Sequence, residues 1–308
     1  MIKQFIEKVQ QQELSVNSII VTQDNKTESY FFHEDSLTSI RSISKVLSCL
    51  GVYHAIKSGI FDLDTKVLHF FPDIRINENR QKLENLTIED LLTLRMGHKK
   101  GLLFSKDVAQ LPQGTDLLEY IFNFEIPNNP GEFFIYNNAN TYILSSIVQR
   151  ETRMNFSDWV KTKVFAPLNI EDYLWENSAQ GICLGASGLW LKNKDLHKVA
   201  QLLLNNGMYN DVEIINPQWI KTMTSPHVYV AELPEYIGKQ DRCINKVAYG
   251  YHIWLSGDGS KKYPKTHYFC DGTDGQFLIV SPNKKLAITI LSSQKNMTPL
   301  YPVIADLV

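Results

Sequence analysis

The chain is predicted to adopt an α+β fold, an antiparallel sheet flanked by helices and interrupted by an all-helical lobe. Three observations carry this expectation. Short alternating runs around a turn open the chain, and two further strand-like runs around a turn close it. Between them, residues from about Phe70 to Asp172 read mainly as helix. The whole of 1–308 is expected to form one unit, with an α/β lobe of 1–70 and 180–308 and a helical lobe of 71–179.

The opening segment, Met1-Ile-Lys-Gln-Phe-Ile-Glu-Lys-Val-Gln, has amphipathic helical spacing with both charge signs. It lacks the apolar stretch of a signal peptide, so a cytoplasmic location is expected. Ser18–Thr22 and Ser29–His33 alternate around the turn-rich Gln23-Asp-Asn-Lys26, which predicts a hairpin. A buried helix follows. Ile43, Val46, Leu47, Leu50, Tyr53 and His54 recur with a period near 3.6, and Gly59 stands where the helix would stop. Gly51 in mid-helix costs roughly 1 kcal/mol against alanine, which suggests that another backbone passes close by.

In the helical stretch, Thr87-Ile-Glu-Asp90 forms a capping-box-like start to Leu91, Leu92 and Leu94. Asp116–Phe124, Asn140–Arg150 and Phe156–Val164 are further helical segments, and Lys194–Asn205 is another beyond them. Gln276–Val280 and Lys285–Ser292 read as strands joined by the Ser281–Lys284 turn, before a last helix around Tyr301–Val308.

Composition narrows the function classes. The 308 residues are 44% hydrophobic and 21% charged, with a formal net charge of −2, so no electrostatic case exists for nucleic acid or an anionic membrane. No apolar run approaches transmembrane length. Cys49, Cys183, Cys243 and Cys270 are dispersed and fit free thiols better than a disulfide framework. His267 and Cys270 lie in a strand-like segment that sends them to opposite faces, and no zinc site is expected.

Ser42-Ile43-Ser44-Lys45 carries the strongest chemical signal. Residues at i and i+3 share a helix face, so a hydroxyl has an amine beside it at a helix start whose N–H groups point outward. That arrangement suits an activated nucleophile. An ordinary core helix, with Ser42 as N-cap and Lys45 reaching solvent, explains the same residues equally well.

Two more segments are ambiguous in the same way. Pro130-Gly131-Glu132 leads to Tyr136-Asn137-Asn138, the only Tyr-x-Asn among fourteen tyrosines. A phenol near an ammonium can act as a base, and an asparagine amide can hold an acyl substrate. A surface loop with Asn138 or Asn140 as helix cap fits too. Cys270-Asp271-Gly272-Thr273-Asp274-Gly275 stands before the apolar strand Phe277–Val280. Glycines there allow a ligand to approach strand N–H groups, or simply form a bulge.

Taken in order, the three segments resemble the elements of the serine β-lactamase and penicillin-binding-protein superfamily. The likeness is greatest to its class C branch, which includes esterases, D-aminopeptidases and amide hydrolases, and whose middle element is Tyr-x-Asn. Gly59–Asp64 with Phe71-Pro72, Thr87–Gly97, Pro130-Gly131-Glu132, Ala166-Pro-Leu168, Leu202–Gly207, Tyr249-Gly-Tyr251 and Gly275-Gln276 extend the resemblance over nearly the whole chain.

The resemblance implies a role for each matched residue. Ser42 is the nucleophile that forms an acyl-enzyme. Lys45 lowers the pKa of Ser42 and Tyr136 and moves protons. Tyr136 is general base and then acid, and Asn138 orients substrate and Lys45. The N–H groups of Ser42 and Thr273 form the oxyanion hole, with Gly272 at the place of the third element's glycine. No metal or organic cofactor is required, and the partner is a small-molecule ester or amide.

One departure stands out. The third element usually starts with lysine or histidine, whereas Cys270 and Asp271 stand here. The cation for a substrate carboxylate is missing, and Asp271 is expected to repel one. Weak or no β-lactamase activity follows, with neutral or amine-bearing esters or amides preferred. Tyr251, Trp190 and Phe104 are expected as pocket walls. The alternative from another class is a catalytically degenerate binding or sensory module, and a structural partner in an assembly is a third.

Overall fold

Alternation and turn chemistry set the first hairpin. Strand β1 (Val16–Gln23) pairs with β2 (Lys26–Phe31), and Gln23 faces Lys26 across a two-residue turn. Asp24 and Asn25 both have positive φ, 48° and 64°, which matches the twist a tight hairpin needs. The second strand therefore begins three residues earlier than its alternation suggested and ends before His33. It is exposed along nearly all its length, so burial leaves no clean pattern to read.

The structure, a computed structural model, describes residues 1–231, 233, 245–257, 259–261 and 267–308. Cys243 lies outside the described residues, whereas Cys49, Cys183 and Cys270 are buried free thiols. The chain forms two units. The first comprises Met1–Val46, Phe165–Leu174 and Leu189–Val308, and the second Leu47–Val164 and Trp175–Gly188.

The first unit is built on an antiparallel sheet. Its other described strands are β3 (Val228–Tyr229), β4 (Ala248–Tyr249), β5 (Trp254–Leu255), β6 (Tyr268–Gly272), β7 (Gln276–Ser281) and β8 (Leu286–Ser292). The spatial order is β2-β1-β8-β7-β6-β5-β4-β3. β7 and β8 are buried at every residue, as expected for central strands covered on both faces. Their connection is the turn Pro282–Lys284, closed by Lys285 at φ 46°.

Helix Asn193–Leu204 packs on β1, β7 and β8. Its His197 bridges Thr22 Oγ1 at 2.7 Å and Thr289 Oγ1 at 3.0 Å. Burial lowers the His197 pKa to about 4, which keeps the bridging ring neutral at physiological pH. The terminal helices Ile2–Gln11 and Leu300–Ala305 pack against each other.

The second unit is helical. The body of helix Ser44–Lys57 enters it, followed by Arg80–Leu83, Ile88–Leu92, Ser105–Val108, Leu117–Asn123, Ala139–Thr152 and Phe156–Val160. The capping box at Thr87 forms: Thr87 Oγ1 accepts from Asp90 N at 3.1 Å, and Thr87 N donates to Asp90 Oδ2 at 3.0 Å. Gly51 is crowded by side chains and not by a second backbone. A Cβ there would meet Val160 Cγ2 at 2.8 Å and Phe156 Cζ at 2.9 Å. Trp159 Nε1 donates to the Gly51 carbonyl at 2.9 Å, so helix Phe156–Val160 is seated on this one residue.

Candidate active site

Ser42 lies in a 3-10 turn, Arg41–Ile43, that runs directly into helix Ser44–Lys57. The expected first helical turn is thus tighter than an α-helix. Arg41 has φ 54°, a left-handed conformation that is unfavourable for a residue other than glycine and points to an imposed turn. Two contacts hold it. Ile40 N donates to Leu189 O at 2.9 Å, and Ser44 Oγ donates back to Arg41 O at 2.6 Å.

Lys45 Nζ stands 3.4 Å from Ser42 Oγ, the pairing that the i, i+3 spacing called for. Lys45 is 1% exposed, so it does not reach solvent as an ordinary surface lysine would. Burial lowers its pKa from 10.5 to about 7, a shift partly opposed by Cys270 and Asp271. A large fraction of this amine is therefore neutral at pH 7 and able to accept a proton.

The end of β6 is pressed onto the same turn. A Cβ on Gly272 would lie 2.7 Å from Arg41 Cβ and 2.9 Å from Ile40 O, so only glycine allows this approach. Thr273 follows as the first residue of a short turn, Thr273–Gly275, and is exposed. Asp274, with φ 66°, accepts from Arg41 Nη2 at 2.7 Å and from Lys295 at 3.2 Å. An ion pair thus fastens the residue before Ser42 to the third element.

Asp271 departs from expectation. Both of its carboxylate oxygens accept from Lys246 Nζ, at 3.0 and 2.8 Å, so the negative charge is compensated in place. The ammonium also lies 4.2 Å from the centroid of the Trp254 ring. Sequence reasoning did not single out Lys246. Its 25-residue distance from Asp271 leaves no local signal.

Tyr136 and Asn138 belong to the second unit. Tyr136 is half-buried in the loop before helix Ala139–Thr152. Its carbonyl and the Phe104 ring both crowd Gly101, where a Cβ would meet each at 2.5 Å. Asn138 takes the N-cap position without capping through its side chain. Instead Asn138 Nδ2 donates to Leu103 O at 2.8 Å, and Asn137 Oδ1 accepts from Asn140 N at 3.0 Å. The capping reading thus passes to Asn137, and the Asn138 amide is oriented by the 102–103 backbone, to which its own N–H also donates. Of the expected walls, Phe104 is 37% exposed, whereas Tyr251 is buried and stacked on His227 at 4.1 Å.

A family model described as Beta-lactamase matches residues 2–308. The chain belongs to the beta-lactamase family. Its relatives fall within the β-lactamase-fold serine hydrolases. A curated relative, penicillin-binding protein 4* of Bacillus subtilis (strain 168), is 24% identical over 151 residues, which is 47% of this chain and 32% of that protein. The chain spans about a third or less of the length of the curated relatives it matches. Among solved structures, the octameric penicillin-binding protein homologue from Pyrococcus abyssi superposes with TM-score 0.73 at 18% identity, covering 98% of this chain and 74% of the other. A class C β-lactamase superposes with TM-score 0.72 at 15% identity, covering 99% and 95%. These identities speak to the fold. Among the described residues, no helix is long and apolar enough to cross a membrane.

Proposed function

We propose that this family member is a serine hydrolase acting through an acyl-enzyme on Ser42, with esters as first substrates, amides or peptides second and β-lactams third. One observation carries the reading: the buried Lys45 amine, with its pKa near 7, 3.4 Å from the Ser42 hydroxyl.

In this scheme Ser42 Oγ attacks the substrate carbonyl carbon and gives up its proton, which Lys45 helps to move. Tyr136, from the second unit, is the general base and later returns the proton to the leaving group. Asn138 orients the substrate. The N–H groups of Ser42 and Thr273 hold the oxyanion, each worth roughly 10²–10³ in turnover. Water then attacks the acyl carbon, and Ser42 regains its proton. The compensated charge at Asp271 supports uncharged substrates, and the exposed Phe104 beside the Tyr136 loop supports an apolar acyl group.

Incubation with a fluorophosphonate probe should add its mass at Ser42 and nowhere in Ser42→Ala. A panel of p-nitrophenyl esters, D-amino-acid anilides and nitrocefin should rank in the order given. Absence of any Ser42 adduct would remove the hydrolase reading. Cys270 in place of the usual cation favours a second reading, a small-molecule binding module. Slow labelling combined with tight, reversible binding of an acyl compound would support it.

A further inference from the structure

At Cys270 and Asp271, where the third element begins, the charges among the described residues balance. Cys270 is buried, with Sγ 3.8 Å from His252 O, and supplies no cation. Asp271 and Lys246 cancel one another, with side chains only 21% and 19% exposed. Ion pairs in open water contribute little because solvent screens them. This one is four-fifths covered, holds two contacts through one ammonium, and is braced by the indole of Trp254, itself buried in the sheet between Phe269 and Tyr249. Removing either partner would leave the other charge largely desolvated and unpaired, which is strongly unfavourable.

The strand end that carries Asp271 adjoins the Ser42 turn. Asp271 immediately precedes Gly272, whose Cα is packed on the turn bearing Ser42, and the Asp271 carboxylate acts electrostatically on Lys45. A substrate carboxylate near this strand meets Lys246 with its charge already countered by Asp271, and a substrate ammonium meets Asp271 already countered by Lys246. An uncharged group gains from neither and loses nothing to either.

We propose that Lys246 and Asp271, braced by Trp254, form a self-neutralised charge lock that makes the site selective for uncharged acyl substrates against both carboxylate-bearing and ammonium-bearing ones. This rests on the Ser42 hydrolase reading and narrows its substrate class, setting aside the amine-bearing esters that the sequence alone allowed. Lys246 and Asp271 are specificity-determining and take no part in bond making.

The test compares kcat/KM for three p-nitrophenyl esters of similar length that cannot cyclise: 4-methylbenzoate, 4-carboxybenzoate and 4-(aminomethyl)benzoate. The wild-type chain should prefer the 4-methylbenzoate to each charged ester. Asp271→Asn frees the ammonium and should raise the 4-carboxybenzoate-to-4-methylbenzoate ratio by about tenfold or more. Lys246→Met frees the carboxylate and should raise the 4-(aminomethyl)benzoate ratio by about as much. The double variant, with neither charge, guards against a single variant that folds poorly, and it should keep the preference for the 4-methylbenzoate. Ratios that stay within about twofold of wild type in both single variants, while fluorophosphonate still labels Ser42, would overturn the lock and leave the hydrolase reading intact. A wild-type chain that neither labels nor turns over any ester would overturn the hydrolase reading and the lock together.

Discussion

Residues 40–45 and residues 270–274 meet where Gly272 packs on Ile40 and Arg41 and where Asp274 pairs with Arg41, yet the two regions treat a lysine in opposite ways. At the first, Lys45 is buried and its pKa falls to about 7, so the amine exchanges protons near neutrality. At the second, Lys246 is clamped by both oxygens of Asp271 and laid on Trp254, so its charge is countered within the fold. The first region carries the Ser-x-x-Lys spacing expected from the resemblance, and the second has Cys270 where that resemblance leads one to expect a cation. Under the proposed function, proton chemistry and substrate recognition rest on different lysines and are separable by mutation.

The sharpest way to break the comparison is to remove the buried amine. Lys45→Met keeps the volume and discards the proton carrier, and kcat/KM for a neutral ester should fall by roughly 10³ or more. The same change should raise thermal stability. A folded-state pKa near 7 against an ordinary 10.5 means that below pH 7 the folded chain must hold a desolvated ammonium, a cost on the order of 2–5 kcal/mol. That cost declines as pH rises from about 7 towards 10.5, so the Tm gain should be largest at acid pH and shrink at alkaline pH. An active and unstabilised Lys45→Met would show that Lys45 is neither proton carrier nor burden.

A second contrast uses two crowded glycines. Gly272→Ala places a methyl against Arg41 Cβ and Ile40 O and should push the third element away from the Ser42 turn, costing about 10² in kcat. Gly51→Ala overpacks against Val160 and Phe156 in the second unit and should cost about 1–3 kcal/mol by denaturant unfolding, with little change in kcat. Equal effects of the two variants on activity would mean that the strand contact does not position the site.

Which of these features can be read in the string follows from their range. The Thr87 capping box and the Asp24-Asn25 turn depend on residues two or three apart, and both stand where the sequence puts them. The Ser42–Lys45 contact is equally local. Gly51 announces crowding, but its partners are more than a hundred residues away, so the type of neighbour is hidden. The exposed β2 has no buried face and hence no alternation to mark its ends. Asp271 reads as a repulsive charge because Lys246 comes from a distant strand entrance, and pairing across a sheet leaves no mark in either segment alone.

The smallest expected effect is also the most specific. If moving the Ser42 proton requires the neutral Lys45 amine, kcat/KM for a neutral ester should rise with pH through about 7 and level off above it. Asp271 holds that limb up, since a carboxylate favours the charged amine. Asp271→Asn removes this support and leaves the Lys246 cation uncompensated, so both changes favour the neutral amine and the limb should move to lower pH. Lys246→Met leaves Asp271 uncompensated, favours the ammonium and should move the limb to higher pH. Each shift should be about half a pH unit, screened by the fifth of the pair that faces solvent. A pH–rate profile from 5 to 9 reads the directions directly, and shifts of the same sign in both variants would separate the two lysines that the comparison joins.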